Sequence, residues 1–334
     1  MDIIKPKSVV FFGSSELSAH ILQSLIDQPS PRFTITAVVT RPTPPHGHSH
    51  QADTPVVRIA NAHNIRLFRP SRASELVELL GGEKLSAGLL FAYGQILPPE
   101  VLSLFEYGIL NIHPSLLPKH RGPSPIEATI LAGDSQAGVS LIKITDKMDA
   151  GPILVQKHIV INDSISKAEL TTHLVSVALD LTHQTLPDFA DGLFEAKLRE
   201  NLIPNQNEAE ATYCKLIHKQ DGLIWLNQEL SASVQRKVRA YADWPKTRLA
   251  IKRGDSTMEL LLLETGPPST GLQLQPGLTY QSRHLFAQCQ DQAIELRRIQ
   301  LPGKQAMTAP ELLNGPALSV LVEPGQSFIE LNRE

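Results

Sequence analysis

Two apolar runs restrict the fold before any motif is considered. Ser8–Phe12 and Ala87–Ala92 are nearly continuous in hydrophobic residues, without the polar alternation of a half-solvated strand. Strands buried on both faces belong to parallel sheets covered by helices on either side. Ser8–Phe12 ends in Gly13-Ser14-Ser15, and Leu17, Ile21, Leu22 and Leu25 then recur at helical spacing, with Ser15 placed to cap. Strand, tight turn, helix is the opening unit of a doubly wound α/β domain. No Gly-x-Gly-x-x-Gly follows the strand, so a dinucleotide site is not expected.

The pattern continues with strands expected at Thr34–Thr40, Ile65–Phe68, Val139–Ile144 and Ile153–Ile161. Helices are expected at Pro55–His63, Ser74–Leu80, Pro98–Leu104, Ile126–Ala132 and Lys167–Leu186. Periodicity fades over Asp188–Glu210, where Pro204-Asn205-Gln206-Asn207 reads as linker. Beyond it lie one helical piece, Ser231–Tyr241, and short β-type runs at Arg248–Lys252, Met258–Leu263, His284–Gln288, Ile294–Gln300 and Ser327–Leu331. Such runs predict a small OB-like β-barrel. The expected domains are therefore a Rossmann-like unit over 1–187, a linker over 188–210 and a β-barrel over 211–334, as a chain of 334 residues warrants.

Chemistry concentrates in Gly108–Pro125. Asn111 and His113 alternate within the apolar piece Ile109–Ile112, so both side chains share one strand face. Pro114, Pro118, Pro123 and Pro125 make the following loop stiff and non-helical. An amide and an imidazole at a strand end suit an active-site crevice; a buried Asn–His pair bonded to backbone is the alternative. Asp146 and Asp149 both follow a strand and could supply a carboxylate, or could serve as turn residues.

The net charge of −3 argues against a nucleic-acid coat over the whole surface. Locally, however, Arg236, Lys237, Arg239, Lys246, Arg248, Lys252 and Arg253 face Asp243 alone over 233–254, a cluster of the kind phosphate contacts need. Cys214 and Cys289 are far apart and have no metal spacing, which fits free thiols in a cytoplasmic protein. The N-terminus lacks an apolar run long enough for a signal peptide or membrane span. His46, His48 and His50 alternate in a Pro-Gly loop without an acidic or cysteine partner, so a mobile surface loop is expected there and no metal.

Asn111-Ile112-His113, Ser115-Leu116-Leu117-Pro118 and Asp149-Ala150-Gly151 occur in this order, with Ala92-Tyr93-Gly94 before them and Arg121-Gly122 between. In this combination the chain resembles the folate-dependent formyltransferases. The resemblance implies Asn111, His113 and Asp149 as catalytic residues, Asp149 being preferred to Asp146 on its Asp-x-Gly context. It implies 10-formyltetrahydrofolate as co-substrate, no metal, and a folate slot made by Ser115, Leu116, Leu117 and Pro118 with Phe91, Ala92, Tyr93, Gly94, Ile96 and Leu97. The carboxylate is expected to favour the charged form of His113.

Thr212-Tyr213, Asp221-Gly222, Trp244-Pro245, Leu301-Pro302-Gly303-Lys304 and Glu311-Leu312-Leu313-Asn314-Gly315 extend the likeness to members that act on initiator methionyl-tRNA. For these the resemblance implies a monomer and tRNA contacts from Arg41, Arg236, Lys237, Arg239, Lys246 and Arg248. The loop after the second strand departs from that pattern, with Arg41 its one full charge. Two rival functions are a formyltransferase acting on an amino-sugar nucleotide or other small amine, and a folate- or RNA-binding protein without catalysis.

Overall fold

The computed structural model describes residues 5–42, 53–253, 256–272, 274, 277–281 and 283–314. The histidine loop and the strand expected at Ser327–Leu331 lie outside the described residues. Two compact units emerge, one of residues 1–125, 135–161 and 170–215, the other of 126–134, 162–169 and 216–334.

The chain order is β1 (Lys7–Gly13), α1 (Glu16–Asp27), β2 (Phe33–Val39), α2 (Pro55–Ala62), β3 (Arg66–Phe68), α3 (Leu76–Leu80), β4 (Ala87–Phe91), α4 (Pro99–Leu102) and β5 (Ile109–His113). Then come α5 (Pro125–Ala132), β6 (Gln136–Lys143), β7 (Ile153–Val160), α6 (Lys167–Ala190) and α7 (Leu193–Arg199). The first sheet runs β3-β2-β1-β4-β5-β6-β7. Its first five strands are parallel, whereas β6 pairs antiparallel with β5 and β7 antiparallel with β6. The doubly wound half is as expected, and Ser15 caps α1 in a reciprocal capping box. The antiparallel return of β7 on β6 follows from their connection, which is too short for the dozen or more residues a parallel crossover needs, whereas the β5–β6 connection carries α5 and no length argument dictates its reversal.

Val9, Val10, Phe11 and Phe12 of β1, and Ala87 and Leu89 of β4, are fully buried, as strands covered on both faces must be. Phe12 packs edge-on against Tyr93 and Phe105. The segment expected as linker is helical as far as Arg199, with α6 continuing through Pro187.

The C-terminal unit contains β8 (Leu223–Ile224), α8 (Ser231–Ala240), β9 (Thr247–Arg253), β10 (Ser256–Ser269), β11 (Gly277–Gln281), β12 (His284–Gln288), β13 (Ala293–Gln300), β14 (Met307–Thr308) and α9 (Ala309–Asn314). Its sheet runs β11-β12-β13-β10-β9-β8, with β14 on β13. The short β-type runs thus form a separate β-sheet domain, as expected of the C-terminal half. Leu260 and Leu262 of β10 and Ile294, Leu296 and Ile299 of β13 join Val234 and Val238 of α8 in one core. Among the described residues no helix is long and apolar enough to cross a membrane.

Candidate active site

β5 lies between parallel β4 and antiparallel β6, so its carboxyl end opens where the direction of the sheet changes. Asn111 and His113 emerge there on one face, 7% and 4% exposed. The β6–β7 turn brings Asp149 back over them. Its Oδ1 accepts from Asn111 Nδ2 at 3.4 Å and lies 3.6 Å from His113 Nδ1. Its Oδ2 accepts the Gly122 N–H at 2.8 Å. The three residues proposed from sequence therefore converge through one carboxylate.

The backbone around Asp149 requires unusual residues. Asp149 itself has φ 50°, the left-handed region that Asp and Asn enter more readily than most residues. A Cβ at Gly151 would overlap the Lys143 carbonyl, and one at Gly122, whose φ is 122°, would overlap the Cys214 carbonyl. Both positions need glycine.

His113 Nε2 donates to the His120 carbonyl at 3.0 Å, because a carbonyl can only accept. Burial pushes the His113 pKa below its usual value. Asp149 and the His120 carbonyl oppose that shift, and the neighbouring His120 ring adds to it. The carboxylate is thus present as expected, but desolvation outweighs it, and the resting imidazole is neutral rather than charged. In that tautomer the Nδ1 lone pair faces Asp149.

Asn111 and Asp149 line a cleft of about 380 Å³ together with Leu90, Gly94, Ile96, Leu97, Ile144 and Met148. The volume is in the range of small-molecule sites, and a mostly apolar wall with few polar groups is their usual make-up. His113 does not line the cleft; it stands behind Asp149.

The expected folate residues divide. Gly94, Ile96 and Leu97 line the cleft, with Ile96 77% exposed at its mouth. Phe91 and Tyr93 instead point into the core, where burial pushes the Tyr93 phenol up to about 12. Ala92, with φ 48°, turns the chain between them and does not line the cleft. Ser115, Leu116, Leu117 and Pro118 do not line it either. Ser115 Oγ donates to the Lys119 carbonyl, and the Leu117 N–H donates to Ser140 Oγ. Ser140 Oγ in turn donates to the Ser115 carbonyl, so this loop is built inward as a brace.

Some residues at the site had no signal in the sequence, and Arg121 had one only as part of the Arg121-Gly122 motif. Lys147 and Met148 line the cleft beside Asp149 and were overlooked next to it. Gln206, read as linker, is 8% exposed and bonded to the Asp149 turn. Arg121 is 1% exposed, and all five of its N–H groups find acceptors on Gln206, Glu208 and Tyr213. Periodicity cannot reveal a buried polar side chain in an irregular segment.

Arg41, also expected at the tRNA, is exposed, and its guanidinium lies over Gly94 at the cleft wall. In the C-terminal unit four of the expected tRNA residues, Arg236, Lys237, Arg239 and Arg248, already have partners. Arg236 donates to the Ala132 carbonyl at the end of α5 and Arg239 to the Ile165 carbonyl at 3.0 Å. Lys237 pairs with Glu229 at 2.6 Å and Arg248 with Glu259 at 3.0 Å. Lys246 is half-buried at φ 65°. Among the described residues, no group of three or more His, Cys, Asp and Glu side chains converges on a metal-sized site.

Comparison with known proteins fixes the class of this arrangement. Residues 6–187 match the formyl transferase family and residues 216–317 its C-terminal domain, so fold and site together define a formyl transferase. Methionyl-tRNA formyltransferase from Herpetosiphon aurantiacus is 34% identical over 312 residues, covering 92% of this chain and 97% of the relative. Its counterpart from Thermotoga maritima is 33% identical over 92% of this chain and 95% of the relative. At this likeness the chain belongs to the methionyl-tRNA formyltransferase family.

Among solved structures, the sugar 3N-formyl transferase WlaRD superposes with a TM-score of 0.60 at 16% identity, covering 90% of this chain and 99% of that one. HypX from Aquifex aeolicus gives 0.59 at 18% identity over 92% of this chain. The present chain spans about half (47%) of the HypX chain. These two share the fold.

Proposed function

We propose that the protein transfers the formyl group of 10-formyltetrahydrofolate to the α-amine of initiator methionyl-tRNA. The observation that carries the reading is the convergence of Asn111, His113 and Asp149 through one carboxylate at the edge of an apolar cleft. The flat pterin occupies the slot between Leu97, Ile144 and the Met148 turn, and Ile96 covers its mouth.

The amine nitrogen attacks the formyl carbon, giving a tetrahedral intermediate whose oxygen carries negative charge. One N–H of the Asn111 amide is directed at Asp149, which leaves the other for that oxyanion. The ammonium form of the amine must lose a proton before attack. Asp149 attracts it at the cleft wall, and neutral His113, with its Nδ1 lone pair 3.6 Å behind, is the base toward which the proton moves. Collapse breaks the bond from the formyl carbon to the folate N10. N10 takes up the proton that the attacking nitrogen gives up on becoming an amide and leaves as tetrahydrofolate. The proton first lost by the ammonium passes from His113 to solvent.

Residues 1–187 carry the chemistry on this reading and 211–334 bind the tRNA in the cytoplasm. Arg41, Arg236, Lys237, Arg239, Lys246 and Arg248 are the proposed phosphate contacts. Supplying the purified protein with 10-formyltetrahydrofolate and either methionyl initiator tRNA or an amino-sugar nucleotide tests the reading. Formylated methionyl-tRNA is expected; formylation of the sugar alone overturns the acceptor assignment.

A further inference from the structure

The segment 206–214 runs as a strap along the catalytic loop 118–122, and every contact described below lies within the N-terminal unit. Its backbone pairs with the loop. Thr212 N–H donates to the Pro118 carbonyl, Arg121 N–H to the Thr212 carbonyl and Cys214 N–H to the Arg121 carbonyl at 2.8–3.2 Å. The Thr212 hydroxyl accepts from the His120 N–H at 2.8 Å. His120 and Gly122 are the two loop residues whose main chains hold His113 and Asp149.

One side chain joins the strap to the other half of the site. Gln206 Nε2 donates to the Asp149 carbonyl at 2.8 Å and the Gly151 carbonyl at 2.7 Å, using both of its protons. Gln206 Oε1 accepts from Arg121 Nε at 3.0 Å and Nη2 at 2.9 Å. The guanidinium is then closed by Glu208 and Tyr213.

We propose that Gln206 is a positioning residue for the formyl transfer, clamping the left-handed Asp149 turn to the Arg121–Gly122 loop so that the Asp149 carboxylate stays on Asn111 and His113. Two facts make it more than a structural tie. Asp149 sits in a backbone region that a non-glycine residue keeps only when its surroundings hold it there. Gln206 grips the carbonyls on both sides of Ala150, the pivot about which that carboxylate would swing. A small displacement at this carboxylate costs rate out of proportion to its size. The inference rests on the catalytic reading of Asn111, His113 and Asp149.

Two variants test it. Gln206→Glu keeps the acceptor for Arg121 and so keeps the strap docked, but loses both donations to the turn. Gln206→Leu loses everything while keeping the volume. For both, kcat for formyl transfer is expected to fall about tenfold to a hundredfold. KM for folate and for tRNA should stay within about twofold, while the thermal midpoint is expected to fall in both variants, since each leaves the Asp149 and Gly151 carbonyls without a donor.

A retreating carboxylate also withdraws the charge that supports protonation of His113, while His120, the other titratable group facing it, is unchanged. In Gln206→Leu, which adds no charge of its own, the acid limb of the kcat/KM profile is therefore expected to move to lower pH. Wild-type kcat and an unmoved limb in Gln206→Leu overturn the proposal. So does a fall in kcat matched by raised KM values with the limb unmoved, the mark of simple loosening. Asp149→Asn in the same assay separates the two levels. If that variant is inactive while both Gln206 variants are normal, only the positioning role fails. If Asp149→Asn is fully active, the catalytic reading fails with it.

Discussion

Asn111, His113 and Asp149 in the N-terminal unit and Arg236, Lys237, Arg239 and Arg248 in the C-terminal unit are all polar side chains withdrawn from open solvent, yet their hydrogen bonds end in different places. In the first group each residue bonds a neighbour and keeps a further valence for the reaction: one amide proton on Asn111 and a carboxylate edge on Asp149 at the cleft, and behind them a His113 lone pair directed at Asp149. In the second, each cation is turned onto a carbonyl or carboxylate of its own unit. Catalysis needs groups fixed before the substrate arrives, because reorganisation during reaction raises the barrier. Phosphate binding gains from charges that can redirect themselves, and a cation already partnered must exchange one contact for another. The chemical step is thus built in advance, whereas the tRNA contacts of this reading require rearrangement.

The comparison breaks most readily at His113. His113→Ala is expected to slow formyl transfer by about 10²–10⁴-fold with the fold intact, by the usual contribution of a positioned base. A rate within a few fold of wild type in single-turnover assays removes His113 from the mechanism. Arg121→Ala probes the brace behind the cleft. Losing charge-assisted bonds to Gln206, Glu208 and Tyr213 should cost about 1.5–3 kcal/mol of stability, read as a lower denaturation midpoint. The low end is expected, since Glu208 is largely exposed and can hydrate.

On the tRNA side, neutralising Arg236, Lys237 and Arg239 together should weaken binding and reduce the slope of log K against log salt by fewer than the roughly 0.9 units per phosphate contact of unencumbered cations. A fall of the full amount for all three would show that the partners seen here are given up without cost, and an unchanged slope would place the phosphate surface elsewhere.

The smallest effect is on stability against pH. The folded-state pKa of His113 lies below its unfolded value near 6.5, so between the two the unfolded chain binds a proton that the folded chain refuses. The contribution is fully present above about pH 6.5 and is lost as pH falls below it. His113→Asn should flatten that part of the stability profile.

The sequence allowed the doubly wound half of the fold to be read because buried parallel strands leave long apolar runs and helices leave a 3.6-residue rhythm. It allowed Asn111 and His113 to be paired because strand alternation is a strict geometric rule. The antiparallel return of β6 and β7 was not legible, since an apolar strand has the same pattern in either direction. Placement within the folate slot was the weakest part. A run such as Phe91–Tyr93 alternates between core and surface, and only coordinates reveal which side faces a cleft. The net protonation of His113 was not legible for a related reason. The carboxylate was visible in the motif, but the burial that outweighs it depends on everything packed around the ring. Gln206 was hidden, and Arg121 was marked only as part of the Arg121-Gly122 motif, because their role lies in contacts between segments some 85 residues apart.

The most direct test of the central claim is the single-turnover rate at which Asn111→Ala transfers formyl from saturating 10-formyltetrahydrofolate to methionyl initiator tRNA. Loss of one oxyanion donor predicts a rate about 10²–10³-fold below wild type with folate affinity nearly unchanged. A wild-type rate in that variant would contradict the assignment of the chemistry to this cleft.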